Sequence, residues 1–125
     1  MGVEIKSFRD LVVWQKAMGL VELVYRITNA FPVCERYALT SQLRRAAVSV
    51  PSNIAEGYGR NSTSDYIRFL HIALGSLNEL QTQLELGVRL GFVAKDDVED
   101  ALELCAEMEK MLIALAAKLR MHQDR

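Results

Sequence analysis

Arginine is the residue type whose number and placement in this chain could do chemistry. From Arg36 to Arg68 stand five arginines (Arg36, Arg44, Arg45, Arg60 and Arg68) against only Glu56 and Asp65, with no lysine among them. A guanidinium stays charged at any physiological pH, and its planar fork of donors matches phosphate or carboxylate oxygens. Such a cluster can bind a phosphate backbone. It can equally be a solvated face that pairs with carboxylates of another subunit, and the chain carries a source of those. Asp96, Asp97, Glu99, Asp100, Glu103, Glu107 and Glu109 follow one another without a basic residue between them. Both readings stand on the residues alone. Aromatic residues for stacking bases are sparse in the arginine segment: Tyr37, Tyr58 and Tyr66.

Other chemistry finds little to work with. His71 and His122 are the only histidines, and neither has a glutamate three residues before it, so the Glu-x-x-His pattern of metal-binding bundles is missing. Cys34 and Cys105 are far apart and in no CxxC motif, which reads as two reduced thiols. Gly57-Tyr58-Gly59-Arg60-Asn61 lacks the preceding strand and the lysine of a phosphate loop. No serine has a general base beside it. The expectation is a protein that is not an enzyme and has no metal or cofactor.

The elements that must position the arginines are helices. The 125 residues suit a single domain, 1–125. Half are apolar, a quarter are charged, and the net charge is −1, so any nucleic-acid affinity must come from a local patch. Periods of 3.6 residues predict helices over about 10–29, 39–58, 63–90 and 95–121. Short connections make consecutive helices antiparallel neighbours. The fold class is therefore all-α, an up-down-up-down four-helix bundle. The most apolar stretch, Leu11 to Phe31, contains Lys16, Glu22 and Arg26, a poor membrane span. Met1 to Asp10 lacks the apolar run of a signal peptide. A cytoplasmic location is expected.

In the first helix, with Asp10 as its expected cap, 14 of the 21 residues from Leu11 to Phe31 are apolar. That exceeds one stripe, so Val12, Val13, Leu20, Leu23 and Val24 are expected to reach a second copy of the chain. In the second helix Leu39, Leu43, Ala46, Val50, Ile54 and Tyr58 form an apolar stripe opposite Ser41, Arg45, Ser49, Ser52 and Glu56. Pro51 falls inside it, where a kink is expected, and Gly57 and Gly59 are expected to release the chain. Ser49, Ser52 and Asn53 can satisfy backbone groups near the proline. The candidate face, for nucleic acid or for a neighbouring subunit, is Arg44, Arg45, Ser49, Ser52, Asn53, Glu56 and Arg60, with Arg45 and Glu56 expected to pair between subunits. The third helix has a seam from Tyr66 to Val88, in which Gly75 and Ser76 are either a close crossing or a tolerated weak spot. The fourth buries Val98, Leu102, Cys105, Met108, Leu112, Leu115 and Leu119, and Lys118, Arg120 and Arg125 sit at its tail.

The run Tyr37-Ala38-Leu39-Thr40-Ser41-Gln42-Leu43-Arg44-Arg45-Ala46-Ala47-Val48-Ser49-Val50-Pro51-Ser52-Asn53-Ile54-Ala55-Glu56-Gly57 resembles the hallmark of a family of four-helix bundles. The family is named after proteins encoded in intervening sequences of bacterial 23S ribosomal RNA genes. Phe8 to Ala17 is similar to its opening, and Phe69 to Leu80 to its third helix. The resemblance extends from Phe8 to about Leu119. It implies an up-down bundle, a ring-like homopentamer and no enzymatic activity, with a cellular role largely unknown. A related branch comprises accessory proteins of diversity-generating retroelements, which are pentameric and associate with a reverse transcriptase and with RNA or DNA through basic surface. The resemblance thus implies possible nucleic-acid and protein partners, with a structural or adaptor oligomer as the alternative. The near-neutral charge and the acidic fourth helix depart from a strongly basic accessory protein.

Overall fold

The computed structural model describes residues 4–123; the expected contribution of Arg125 lies outside them. Among these residues there are four α-helices and no strand: α1 (Val12–Thr28), α2 (Leu39–Tyr58), α3 (Thr63–Arg89) and α4 (Lys95–Gln123). Short 3-10 turns at Phe8–Asp10 and Val33–Glu35 precede α1 and α2. α1 packs on α2 and α4, and α3 packs on α2 and α4, while α2 and α4 lie diagonally across the bundle.

Cross-helix pairs fix the directions. Ser49 meets Ser76 while Gly57 meets Phe69, so α2 and α3 run opposite ways. Gln81 bonds Glu109 while His71 meets Arg120, which does the same for α3 and α4. α1 and α4 follow suit, with Lys16 at Glu107 and Leu23 and Ile27 beside Val93 and Asp97. The bundle is up-down-up-down and antiparallel.

Local signals explain where the helices stop. Ser62 caps α3 by accepting from the Asp65 backbone N–H at 3.2 Å. Gly91 ends the same helix at φ 78°. The Phe92 N–H returns to the Gly87 carbonyl at 2.9 Å and the Gly91 N–H to Val88 at 3.0 Å, a Schellman closure that satisfies carbonyls the helix leaves over. Asp10 does not cap α1. Its carboxylate accepts from the Lys6 and Ser7 backbone N–H groups in the preceding 3-10 turn, and Leu11 holds the cap position.

The core explains what became of α1's apolar excess. Val13, Ala17, Leu20, Val24 and Ile27 are all buried inside the bundle, joined by Leu43, Val50 and Ile54 of α2, Leu70, Leu77, Leu80 and Leu84 of α3, and Val98, Cys105, Met108 and Leu112 of α4. Val13, Leu20 and Val24 therefore present no surface to a second copy. Burying each is worth about 2 kcal/mol, and a helix flanked by two neighbours can hide more than one stripe. Leu23 is half-buried, and of the five expected interface residues Val12 alone is well exposed, at 56%.

The small residues divide by role. Pro51 and Gly57 are buried inside a helix that continues to Tyr58. A Cβ on Gly57 would stand 2.8 Å from Phe69 Cβ and 3.2 Å from the Tyr66 carbonyl oxygen, so Gly57 permits a close approach of α2 to α3, and the helix exit falls at Gly59. Gly75 is exposed and has open space around it, whereas its neighbour Ser76 is in the α2–α3 interface.

Candidate functional site

The arginines of the central segment separate into two groups. Arg60 is committed to Glu56, 2.7 Å away and one helical turn back, and Arg68 approaches Asp65 at 3.4 Å. Their guanidiniums also stack on Phe69, at 4.7 and 4.5 Å from its ring centroid. Within the chain Glu56 thus pairs with Arg60, two residues past the end of α2, and not with the Arg45 expected to reach it from a neighbouring subunit.

The other group stays electrostatically open. Arg36, Arg44 and Arg45 line one groove of about 520 Å³ together with Tyr25, Tyr37, Thr40, Ser41, Val48 and Ser49. No carboxylate lines it. Arg45 and Arg36 are exposed, and their guanidiniums have no hydrogen-bond or ion-pair partner among the described residues. Arg36 lies just before the first turn of α2, where the helix dipole adds to the positive potential.

Arg44 is held from the α1 side. Its Nε donates to Thr28 Oγ1 at 2.9 Å and its Nη2 to Asn29 Oδ1 at 3.1 Å. Its guanidinium lies over the Tyr25 ring at 4.4 Å from the centroid. Thr28 Oγ1 is itself oriented, because it donates to the Val24 carbonyl at 2.8 Å. All of these partners are neutral, so they fix the side chain without cancelling its charge, and Nη1 takes part in neither bond. Ordering a long arginine is normally part of the cost of binding; here it is already met in the free protein.

Of the face expected from sequence, the structure brings Arg44, Arg45 and Ser49 into the groove and leaves Ser52, Asn53, Glu56 and Arg60 out of it. Asn53 Nδ2 donates to the Ser49 carbonyl at 2.7 Å and to Ser49 Oγ at 2.9 Å, and Ser49 Oγ meets Ser76 Oγ at 2.8 Å. These residues tie α2 to α3. Sequence reasoning missed Tyr25, Thr40 and Val48 as lining residues. The spacing of four between Ser41, Arg45 and Ser49 marked the right face of α2, but nothing in α1 marked Tyr25 as its opposite wall.

No group of three or more His, Cys, Asp or Glu among the described residues could hold a metal ion. Burial, with a smaller push from Glu109, raises the Cys105 thiol to about 12, so it stays protonated and is a poor nucleophile. Burial, then Tyr58, raises Tyr66 to about 12 as well. No described helix is long and apolar enough to cross a membrane.

Comparison with known proteins agrees with the architecture. No curated protein matches the chain. A crystal structure of a protein of unknown function from the S23 ribosomal protein family of Bacteroides thetaiotaomicron is similar to it, with a TM-score of 0.76 and 27% identity, covering 84% of this chain and 98% of that one. Residues 9–114 match the family described as 23S rRNA-intervening sequence protein. With most of its length matched, and with the four antiparallel helices in place, the chain belongs to the 23S rRNA-intervening sequence protein family.

Proposed function

We propose that this chain is a non-enzymatic helical bundle that binds the sugar–phosphate backbone of a nucleic acid in the groove between α1 and α2. The observation that carries the reading is the convergence of Arg36, Arg44 and Arg45 on a groove with no carboxylate in its lining. Three like charges facing one cleft repel one another, and a polyanion turns that repulsion into attraction. The rest of the molecule supports this. The acidic run lies on α4, which is diagonal to α2, so the net charge of −1 hides a separation of charge across the bundle.

Assembly of several copies is part of the same reading. Val12, Ile113 and Met121 are exposed at 56%, 58% and 70%, apolar surface that further copies would cover. A ring would set several grooves along one strand and raise the overall affinity through effective concentration.

The test is a gel-shift or anisotropy titration of RNA and DNA across a salt series, with Arg44→Ala and Arg45→Ala beside the parent. Binding should fall steeply with salt, and each substitution should lower the slope of log K against log salt by about 1. Absence of binding at low salt would overturn the nucleic-acid reading. An assembled protein that binds neither RNA nor DNA would instead be an adaptor.

A further inference from the structure

We propose that the groove selects single-stranded nucleic acid, by stacking an unpaired base on Tyr37 while the adjoining phosphate sits on Arg36 and Arg45; this rests on the backbone-binding reading above.

Tyr37 is 89% exposed, more than any other large apolar side chain described. An aromatic ring left in water forfeits most of the apolar area that it could bury. Looseness of the segment does not account for it, since the backbone on either side is tied down. The Glu35 N–H donates to the Pro32 carbonyl at 2.9 Å, the Arg36 N–H to Val33 at 3.1 Å, and the Ala38 N–H to Glu35 at 3.0 Å. The Leu39 N–H bonds the Glu35 carboxylate at 3.3 Å. The ring therefore projects from a fixed turn at the rim of the groove.

The two tyrosines of the groove are not equivalent. Tyr25 already has the Arg44 guanidinium against its ring, so one of its faces is taken. Tyr37 has no ring or cation against it among the described residues, and it follows Arg36 directly in the chain. A free ring next to unneutralised guanidiniums is the pairing that single-strand binders use, with the charge holding the backbone and the ring holding a base. A duplex cannot use the ring, because its bases are already stacked on one another. It can use the arginines alone, so the groove discriminates through Tyr37.

The test is fluorescence anisotropy on the full chain at low salt. The ligands are a short labelled single-stranded RNA, the DNA of the same sequence, and the duplex of each. Both single strands should bind more tightly than their duplexes. Tyr37→Ala should weaken single-strand binding roughly 5- to 100-fold, the usual worth of one stacked base, and leave duplex binding unchanged. Tyr37→Phe should keep the preference. The exposure of Tyr37 makes both variants safe for folding. Equal binding of strand and duplex, or a preference that survives Tyr37→Ala, overturns the stacking proposal; if Arg36→Ala and Arg45→Ala still weaken binding and lower its salt slope, the backbone reading stands without it. Failure of any nucleic acid to bind removes both.

Discussion

Arg44 on α2 and Tyr25 on α1 meet across the groove, with the guanidinium 4.4 Å from the ring centroid. The contact joins two helices and at the same time orients a charge. Arg44→Lys keeps the charge but loses the planar fork that bonds Thr28 and Asn29. We expect Arg44→Lys to cost about 1 kcal/mol of stability in urea denaturation. It should also weaken nucleic-acid binding severalfold while leaving the salt slope close to that of the parent. A lysine variant that binds as tightly as the parent would show that the preset geometry of Arg44 does not matter.

Ser49 and Ser76 exchange a hydrogen bond at 2.8 Å between α2 and α3, and Asn53 supports it. Ser49→Ala leaves Ser76 Oγ without its partner in a buried interface, at a cost of about 1–2 kcal/mol. Ser76→Ala should cost a similar amount. The double variant should lose less than the sum, because neither hydroxyl is then orphaned. Strict additivity in a double-mutant cycle would contradict the coupling.

Two glycine-to-alanine changes should have opposite signs. Gly57→Ala places a methyl 2.8 Å from Phe69 Cβ and against the Tyr66 backbone, neither of which can yield cheaply; a loss of about 1–3 kcal/mol is expected. Gly75→Ala meets open space on an exposed helix face, so it should gain up to about 1 kcal/mol from helix propensity. Thermal melts of the two variants on opposite sides of the parent would establish the difference.

The thiols should differ in reactivity. Cys34 is exposed and Cys105 is buried, with burial holding the Cys105 thiol up near 12. A thiol reagent at mildly alkaline pH should label one cysteine in the native protein and both after unfolding. Rapid labelling of two native thiols would mean that α4 opens easily.

Alkaline pH should destabilise the fold. Cys105 is raised from 9.0 to about 12 and Tyr66 from 10.0 to about 12, in each case first by burial. Above pH 9 the unfolded chain releases protons that the folded chain keeps, so the unfolded state binds fewer protons and stability falls. The contribution is complete below pH 9 and declines from there toward 12. A urea midpoint that stays flat across that window would argue against the burial of both groups.

Much of the architecture was legible in the residues. The α2 limits Leu39–Tyr58 follow from apolar spacing, and the stop at Gly91 follows from glycine's tolerance of positive φ. The site was half legible. Ser41, Arg45 and Ser49 declared a polar face because one helix repeats its own geometry. That face did not reveal which arginines were already satisfied. The sequence reading matched Glu56 with Arg45, and only the structure shows it beside Arg60.

The sequence by itself determined the four helices, their order and the segment that carries the arginines, because helical periodicity and end signals act over a few neighbouring residues. Tertiary structure decided which side chains the core consumed and which charges were left uncompensated. Val13, Leu20 and Val24 went inside because α1 has a neighbour on each flank. Arg44 became a preset donor because Tyr25, Thr28 and Asn29, 15 to 19 positions away along the chain, come to lie beside it on a separate helix. Contacts of that kind depend on how whole helices pack, which no local pattern encodes.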